Sequence, residues 1–132
     1  MNPSYPIVFY VSGHGFGHTS RSVEVIRAVL SRRPDAAVVV KTSAPRRLFE
    51  RTLEGRIELV ELACDAGMIQ IDSLTVDTAE SVRQARAFQE RLPQMAAAEA
   101  LSLRERGAQV VVGDIPPLAF AAAAAAGVPS MA

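Results

Sequence analysis

Three glycines alternate with other residues in one short stretch of the chain, residues 13–18, which also holds both histidines. The stretch follows the apolar run 7–11 and precedes a segment with helical periodicity, so the pattern predicts a strand, a glycine-rich turn and the start of a helix. Alternating glycines let the backbone approach a ligand closely, and the first N–H groups of a helix can bind an anion or an oxyanion. This stretch is therefore the first candidate for a functional site.

Two common phosphate-binding patterns do not fit these residues. In the dinucleotide fingerprint Gly-x-Gly-x-x-Gly, counted from Gly13 and Gly15, the third position holds His18, and the second predicted strand leads into Lys41 instead of an acidic residue for a ribose. A Gly-x-x-x-x-Gly-Lys-Ser/Thr phosphate loop is not present either. The sequence therefore argues against NAD or FAD binding and against phosphate-loop kinase chemistry.

The two histidines allow more than one chemistry. His14 and His18 are four residues apart, but Asp114 is a weak third ligand, so we predict no metal site. A histidine at a helix N-terminus is held neutral by the helix dipole and can act as a general base, while a carboxylate at another strand's exit fixes its tautomer. Asp114 suits that second role, although it could equally cap the Pro-Pro turn and the helix that follows it. One histidine could also do no more than hydrogen-bond to backbone.

Other polar and aromatic residues near the predicted strand exits have two interpretations each. Arg21 could reach an anionic group near the glycine turn or be a solvated surface arginine. Phe16 is either a plug on the sheet edge or a surface on which a ligand stacks. Asp65, Gln70 and Asp72 suit sugar hydroxyls, but loop residues of these types more often satisfy their own backbone.

Composition limits the class of protein. The chain of 132 residues is one domain long, and 14 Lys and Arg balance 14 Asp and Glu, so nothing suggests a nucleic-acid partner or an anionic membrane. Cys64 is the single cysteine, which excludes an internal disulfide and suits the cytoplasm. The run 7–11 breaks too early for a signal peptide, and the longest apolar stretch, 118–128, is shorter than the roughly 20 residues of a membrane span. We expect a soluble cytoplasmic protein with no membrane span.

Strand and helix patterns alternate along the chain. They predict strands over 7–11, 36–40, 57–62 and 109–112, the start of another in 128–132, and helices over 19–33, 45–53, 79–106 and 118–126. Pro93 predicts that the third helix is split or kinked, and loop 63–76 is long enough to be functional.

The alternation of strands and helices is typical of an α/β fold, a Rossmann-like parallel sheet with helices on both faces. Ligands of such sheets bind at the carboxyl ends of the strands, so the glycine turn, residues 41–43, residues 65–73 and Asp114 should share one edge. Because the chain ends as a strand begins, we expect it to be truncated.

Three motifs together resemble one family. They are Gly-His-Gly-Phe-Gly-His-x-x-Arg from Gly13 to Arg21, the loop motif Asp-x-Gly-x-x-Gln-x-Asp-Ser-Leu-x-x-Asp from Asp65 to Asp77, and Val-x-x-Asp-x-x-Pro from Val111 to Pro117 with Ala-Ala-x-Gly-x-Pro near the end. Over nearly the whole chain they resemble the glycosyltransferase-like domain of stand-alone bacterial proteins and of the N-terminus of plant L-arabinokinases. More distantly, the chain is similar to the N-terminal half of GT-B glycosyltransferases, including the bacterial peptidoglycan-precursor N-acetylglucosaminyltransferase.

The resemblance implies a role for the whole chain, residues 1–132. It would be the incomplete N-terminal, Rossmann-like, acceptor-binding domain of a glycosyltransferase that moves a sugar from a nucleotide sugar to an acceptor hydroxyl. The donor would bind mainly in a C-terminal domain that this sequence lacks, so this chain would hold no cofactor or metal and would be inactive alone. The alternative is a non-catalytic sugar-binding or regulatory domain of a sugar kinase.

The resemblance also implies roles for individual residues. His18 would be the base toward the acceptor hydroxyl and Asp114 would orient it. The substrate-binding residues would be Gly13, His14, Gly15, Phe16, Gly17 and Arg21 along the cleft, with Gln70 and Asp72 contacting a sugar or glycoside acceptor.

Overall fold

A computed structural model describes residues 5–132, and a parallel sheet of five strands forms its centre. In chain order the strands are β1 (Ile7–Val11), β2 (Val38–Thr42), β3 (Glu58–Glu61), β4 (Ile69–Gln70), β5 (Val76–Asp77), β6 (Val110–Asp114) and β7 (Ser130–Met131). The helices are α1 (Phe16–Arg32), α2 (Arg47–Leu53), α3 (Thr78–Arg106) and α4 (Pro117–Ala126). The central sheet has the order β3-β2-β1-β6-β7, and β4 pairs with β5 in a separate antiparallel hairpin. The predicted α/β class and parallel sheet are confirmed.

Helices cover both faces of the sheet because the strands present apolar side chains on both faces. On one face Phe9 and Val40 pack with Ile26 of α1 and Phe49 of α2. The other face carries a second cluster, which includes Val8, Tyr10, Val39 and Val111 from the sheet, Leu103 from α3, and Ala119, Ala122 and Ala123 from α4. Strands buried on both faces read as continuous apolar runs, which is why β1 and β6 were predictable.

The strand order reverses beside β1, and this reversal determines where a ligand can bind. The chain builds outward from β1 to β3, crosses back through α3, and adds β6 on the other side of β1. The register aligns Val11 at the end of β1 with Thr42 on one side and Asp114 on the other. Open α/β sheets bind ligands at such a switch point, outside the carboxyl ends of the strands.

Several predicted boundaries were wrong. Helix α3 runs unbroken through Pro93 for 29 residues, neither split nor ended there. Buried Phe88 and Ala96 hold the helix to the rest of the domain on both sides of the proline, and these contacts outweigh the backbone hydrogen bond that proline cannot donate. The predicted loop 63–76 contains the hairpin β4–β5, whose two-residue strands are too short to show a period in sequence.

Lys41 was expected at the ligand edge, but it lies inside β2 and is buried under α3. Its ammonium Nζ is 2.5 Å from Glu99 Oε2 and donates to Ser102 Oγ at 3.0 Å. The Tyr10 hydroxyl donates to the same Glu99 oxygen at 2.7 Å, and burial followed by the Glu99 carboxylate raises the pKa of Tyr10, so it stays protonated. This polar cluster ties α3 to the sheet, and Lys41 is therefore not available as a ligand-binding residue.

Cys64 lies fully buried next to this cluster, and its thiol donates to the carbonyl of Lys41 at 3.2 Å. Burial, aided by the neighbouring Asp65 carboxylate, raises the pKa of the Cys64 thiol to about 12. A thiol with a raised pKa is protonated at pH 8, so we expect native protein to resist a thiol reagent such as DTNB at that pH. The control is the protein unfolded in urea, which should react fully; rapid labelling of native protein would show that Cys64 is accessible.

Candidate functional site

The glycine turn is shorter than predicted and joins β1 directly to α1. Helix α1 begins at Phe16 instead of residue 19, so Gly17 and His18 lie in its first turn, while Gly15 caps it with φ +79°. A positive φ favours glycine, and Gly15 has no side chain with which to cap the helix. The first turn of α1 carries no acidic residue, so its free N–H groups face the switch point without a carboxylate of their own.

Gly13 is needed for close packing against the loop that follows β2. A Cβ at Gly13 would lie 2.0 Å from Ser43 Oγ and 3.1 Å from the Ala44 nitrogen. By contrast, a Cβ at Gly17 would meet nothing within 4 Å. The two glycines therefore have different roles: Gly13 allows two loops to touch, and Gly17 leaves the space above the helix start open.

Alanine substitutions should separate these two roles. We expect Gly13→Ala to lower the free energy of unfolding by about 1–3 kcal/mol through overpacking, and Gly17→Ala to leave it unchanged or raise it by up to about 1 kcal/mol, since alanine favours helix. Urea unfolding of both variants measures this. Equal destabilisation by the two substitutions would contradict the assignment.

His18 and Asp114 meet at the switch point, as the sequence analysis expected of a base and its orienting carboxylate. His18 Nδ1 is 2.8 Å from Asp114 Oδ2, and both side chains are about three-quarters buried, with 26% and 23% of their surface exposed. Asp114 is the last residue of β6, next to the end of β1 from which α1 starts, so the sheet register brings the pair together across 96 residues of chain. The alternative role for Asp114, capping α4, is not observed, because Pro116 is the N-cap and no side chain caps that helix.

The contact decides the tautomer of His18. A carboxylate only accepts hydrogen bonds, so Nδ1 carries the proton and donates it to Asp114. Arg21 Nη2 also lies 3.3 Å from Nδ1, but a guanidinium only donates, so it cannot bond to a protonated Nδ1; it pairs instead with Asp114 Oδ1 at 3.6 Å. In the neutral form of the ring the lone pair is therefore on Nε2, where it can accept a proton from a hydroxyl.

The backbone after Asp114 is strained. Ile115 has φ +83° and is largely exposed. A β-branched residue rarely adopts this conformation, which costs of the order of 1–3 kcal/mol and is commonest at functional sites. Sequence reasoning missed it because isoleucine gives no signal of a left-handed turn.

His14 faces a different carboxylate from His18. Its Nε2 lies 3.3 Å from the backbone oxygen of Asp65 and 3.6 Å from Asp65 Oδ1. The two histidines thus have separate partners, and within residues 5–132 no three His, Cys, Asp or Glu side chains group as metal ligands. His14 also packs against Gly67, where a Cβ would lie 2.3 Å from its Nδ1.

Gln70 lies in β4, and Asp72 lies in the turn between β4 and β5. Asp72 Oδ1 accepts a hydrogen bond from the Leu74 amide at 2.8 Å, and this bond, with one from Thr75, lowers the pKa of the Asp72 carboxyl. Asp72 thus satisfies its own turn, which was the alternative interpretation. The contact of Gln70 and Asp72 with an acceptor stays a prediction.

Phe16 is 67% exposed, which leaves its ring open to a ligand and does not suit a plug on the sheet edge.

A cavity of about 290 Å³ opens beside His14, between the glycine turn and α3. Asp65 and Ser43 line it from two loops, and α3 contributes one face, Gln84, Ala87, Phe88 and Arg91. Sequence reasoning missed the α3 residues. Their spacing shows that they share a helix face, but only the packing of α3 shows that this face meets the glycine turn.

Comparisons with known proteins agree with this architecture. No protein-family model matches the chain. L-arabinokinase of Arabidopsis thaliana is 36% identical over 126 residues, which cover 93% of this chain and 12% of that protein. A crystal structure of a ugt transferase from Siraitia grosvenorii in complex with UDP matches 96% of this chain and 27% of that chain, with a TM-score of 0.58 and 19% identity.

These matches support the fold of the chain and do not establish its activity. The chain spans only about an eighth of the curated relative and about a quarter of the structural one, so it corresponds to a part of each. No helix among residues 5–132 is long and apolar enough to cross a membrane. The expected resemblance is confirmed at the level of fold: this chain is a GT-B-like α/β domain, similar over most of its length to a segment of a plant sugar kinase.

Proposed function

We propose that the chain is the acceptor-binding domain of an inverting glycosyltransferase, which transfers a sugar from a nucleotide sugar to an acceptor hydroxyl. The observation that carries this proposal is the hydrogen bond between His18 Nδ1 and Asp114 at the switch point of a GT-B-like sheet. It makes Nε2 the ring nitrogen that can accept a proton, in the region where such sheets bind ligands.

In the proposed reaction His18 Nε2 takes the proton of the acceptor hydroxyl. The acceptor oxygen forms a bond to the anomeric carbon of the donor, and the nucleoside diphosphate leaves with the electron pair of the broken bond. The imidazolium that forms is stabilised by the Asp114 carboxylate, because the ion pair lies in a partly buried site where water screens charge weakly. Arg21 Nη2 pairs with the other oxygen of this carboxylate, Oδ1, at 3.6 Å.

The remaining parts of the proposal concern partners and location. The nucleotide sugar binds mainly to a second domain, and we propose that helix dipoles and side chains, without a metal, stabilise its departing diphosphate. Residues 1–132 bind the acceptor along Gly13–Gly17 and do not transfer sugar by themselves. The balanced charge of the chain supports a neutral sugar acceptor over nucleic acid, and its single buried cysteine supports a cytoplasmic protein.

A second candidate function is a non-catalytic sugar-binding or regulatory domain of a sugar kinase. The 36% identity to a segment of L-arabinokinase favours it, since this match is stronger in sequence than the match to the transferase. In that case the glycine turn and His18 would hold a sugar without reacting with it.

Turnover distinguishes the two candidates. The longest protein that the gene encodes is incubated with a panel of nucleotide sugars and sugar acceptors, and released nucleoside diphosphate and new glycoside are measured. We expect transfer by that protein and none by residues 1–132. Sugar binding without any transfer would replace the transferase proposal with the binding domain.

A further inference from the structure

Polar and apolar groups both line the cavity between the glycine turn and α3. The loop side carries Asp65 and His14, and α3 adds Ala87 and Phe88 between Gln84 and Arg91. Sugars present both kinds of group, because their hydroxyls lie at the ring edge and their C–H groups form apolar faces. The cavity volume of about 290 Å³ is at the lower end of small-molecule sites, which suits one monosaccharide better than a larger ligand.

Asp65 has a buried oxygen whose hydrogen-bonding capacity is unused. Oδ1 is shielded from solvent and accepts no hydrogen bond from residues 5–132, although the His14 ring nitrogen is 3.6 Å away, which is within ion-pair range but too long for a hydrogen bond. Leaving a buried acceptor unsatisfied is costly, and each such atom in a protein needs an explanation. Because Oδ1 is shielded, a ligand hydroxyl would bond to the other oxygen of this carboxylate, in a side chain that is 16% exposed.

His14 and Gly67 pack closely against each other where they line the cavity. The His14 ring packs so closely on Gly67 that any side chain there would overlap it, since even a Cβ would lie 2.3–2.6 Å from three ring atoms. The His14 nitrogen facing Asp65 also contacts the Asp65 backbone oxygen at 3.3 Å. The imidazole is therefore fixed between the glycine turn and the loop that follows β3, where it can contact a ligand bound at Asp65.

We propose that this cavity is a subsite for a neutral pentose or hexose, in which the Asp65 carboxylate accepts a hydrogen bond from a sugar hydroxyl. The sugar's C–H face packs on Ala87 and Phe88, and Gln84 and Arg91, one turn to either side on the same helix face, donate to its outer oxygens. The inference rests on the proposed sugar-binding function and specifies where the acceptor sits. It assigns the acceptor to Asp65 and α3 where the motif resemblance implied Gln70 and Asp72.

Titration of the ¹⁵N-labelled chain with neutral pentoses and hexoses, one at a time, tests the subsite by NMR. For at least one sugar we expect saturable shifts of the Gly67 amide and the Gln84 side-chain amide. Asp65→Asn keeps the side chain's shape and removes its charge, and should weaken binding about tenfold or more, as expected for hydrogen bonds to a charged group. The matched control is Asp35→Asn, an exposed carboxylate between α1 and β2, at the opposite end of the sheet, which should leave affinity unchanged.

The remaining outcomes each count against the subsite or separate it from catalysis. Unchanged affinity in Asp65→Asn, shifts confined to hairpin residues 69–77, or no saturable binding of any sugar would overturn the inference. If sugar binding depends on Asp65 but the full-length protein transfers no sugar, the subsite is supported and the transferase proposal is wrong. If the full-length protein transfers sugar and Asp65→Asn changes neither its rate nor its KM, the transferase proposal is supported and the subsite is wrong.

Discussion

His18→Ala should reduce the turnover of sugar transfer by about a hundredfold or more, the usual effect of losing a general base. Asp114 Oδ2 lies 2.8 Å from His18 Nδ1 and keeps the proton on that nitrogen, so Nε2 is the proposed base. Alanine has no group that could replace Nε2. Steady-state kinetics of the full-length protein with its preferred nucleotide sugar measure the loss. Added imidazole should restore part of the activity if the missing group is a base.

Two further variants test the same pair. In Asp114→Asn the side-chain amide can donate to Nδ1, which favours the tautomer with the proton on Nε2, so turnover should fall although the histidine remains. His14→Ala removes the other imidazole of the same turn and should raise KM more than it lowers kcat, because His14 faces Asp65 and the proposed sugar subsite. If His18→Ala keeps more than about a tenth of wild-type turnover, the base lies elsewhere.

Glu99→Gln should destabilise the domain by about 3–5 kcal/mol, because it leaves the buried Lys41 ammonium without a counter-charge. Lys41 is only 2% exposed and Glu99 14% exposed, so water cannot replace the lost carboxylate. A domain of this size has roughly 5–15 kcal/mol of stability in all, so the variant would lose a large part of it. Urea unfolding followed by circular dichroism measures the difference.

The matched control replaces the whole cluster by apolar groups. Tyr10→Phe, Lys41→Met and Glu99→Met combined remove both charges and the hydroxyl that donates to Glu99, so no buried polar partner of Glu99 is left alone. Buried ion pairs replaced in this way usually leave stability unchanged or improve it. We expect the triple variant to unfold within about 2 kcal/mol of the wild type, and a Glu99→Gln loss below about 1 kcal/mol would mean that the pair is hydrated.

Helix α3 shows where local sequence signals fail. Aspartate is a preferred residue at a helix N-cap and glycine just after a helix end, and here Asp77 accepts a hydrogen bond from the Glu80 amide and Gly107 has φ +63°. Pro93 predicted two helices or one kinked helix, and the structure has one helix, because residues on both sides of the proline are packed against the domain. The caps act within a few residues of chain, whereas the contacts that carry the helix across the proline come from tertiary packing.

The sequence by itself determined the chain order of the four helices and of the five strands of the central sheet, the parallel sheet, and the position of the glycine turn at its edge. Apolar runs buried on both faces, helical stripes, and glycine and proline at element ends are local patterns, and they need no knowledge of distant residues. The pairing of His18 with Asp114 was expected from topology and from the family resemblance, and the register of β1 with β6 brings the two side chains into contact.

Only the tertiary structure decided which groups meet across long stretches of chain. It paired His14 with Asp65 instead of with His18, buried Lys41 against Glu99, and turned one face of α3 toward the glycine turn. None of these follows from spacing, because a side chain's partner depends on how helices pack on the sheet and not on the residues next to it. A cavity exists only where several such elements come together, which is why the proposed sugar subsite could not be read from the sequence.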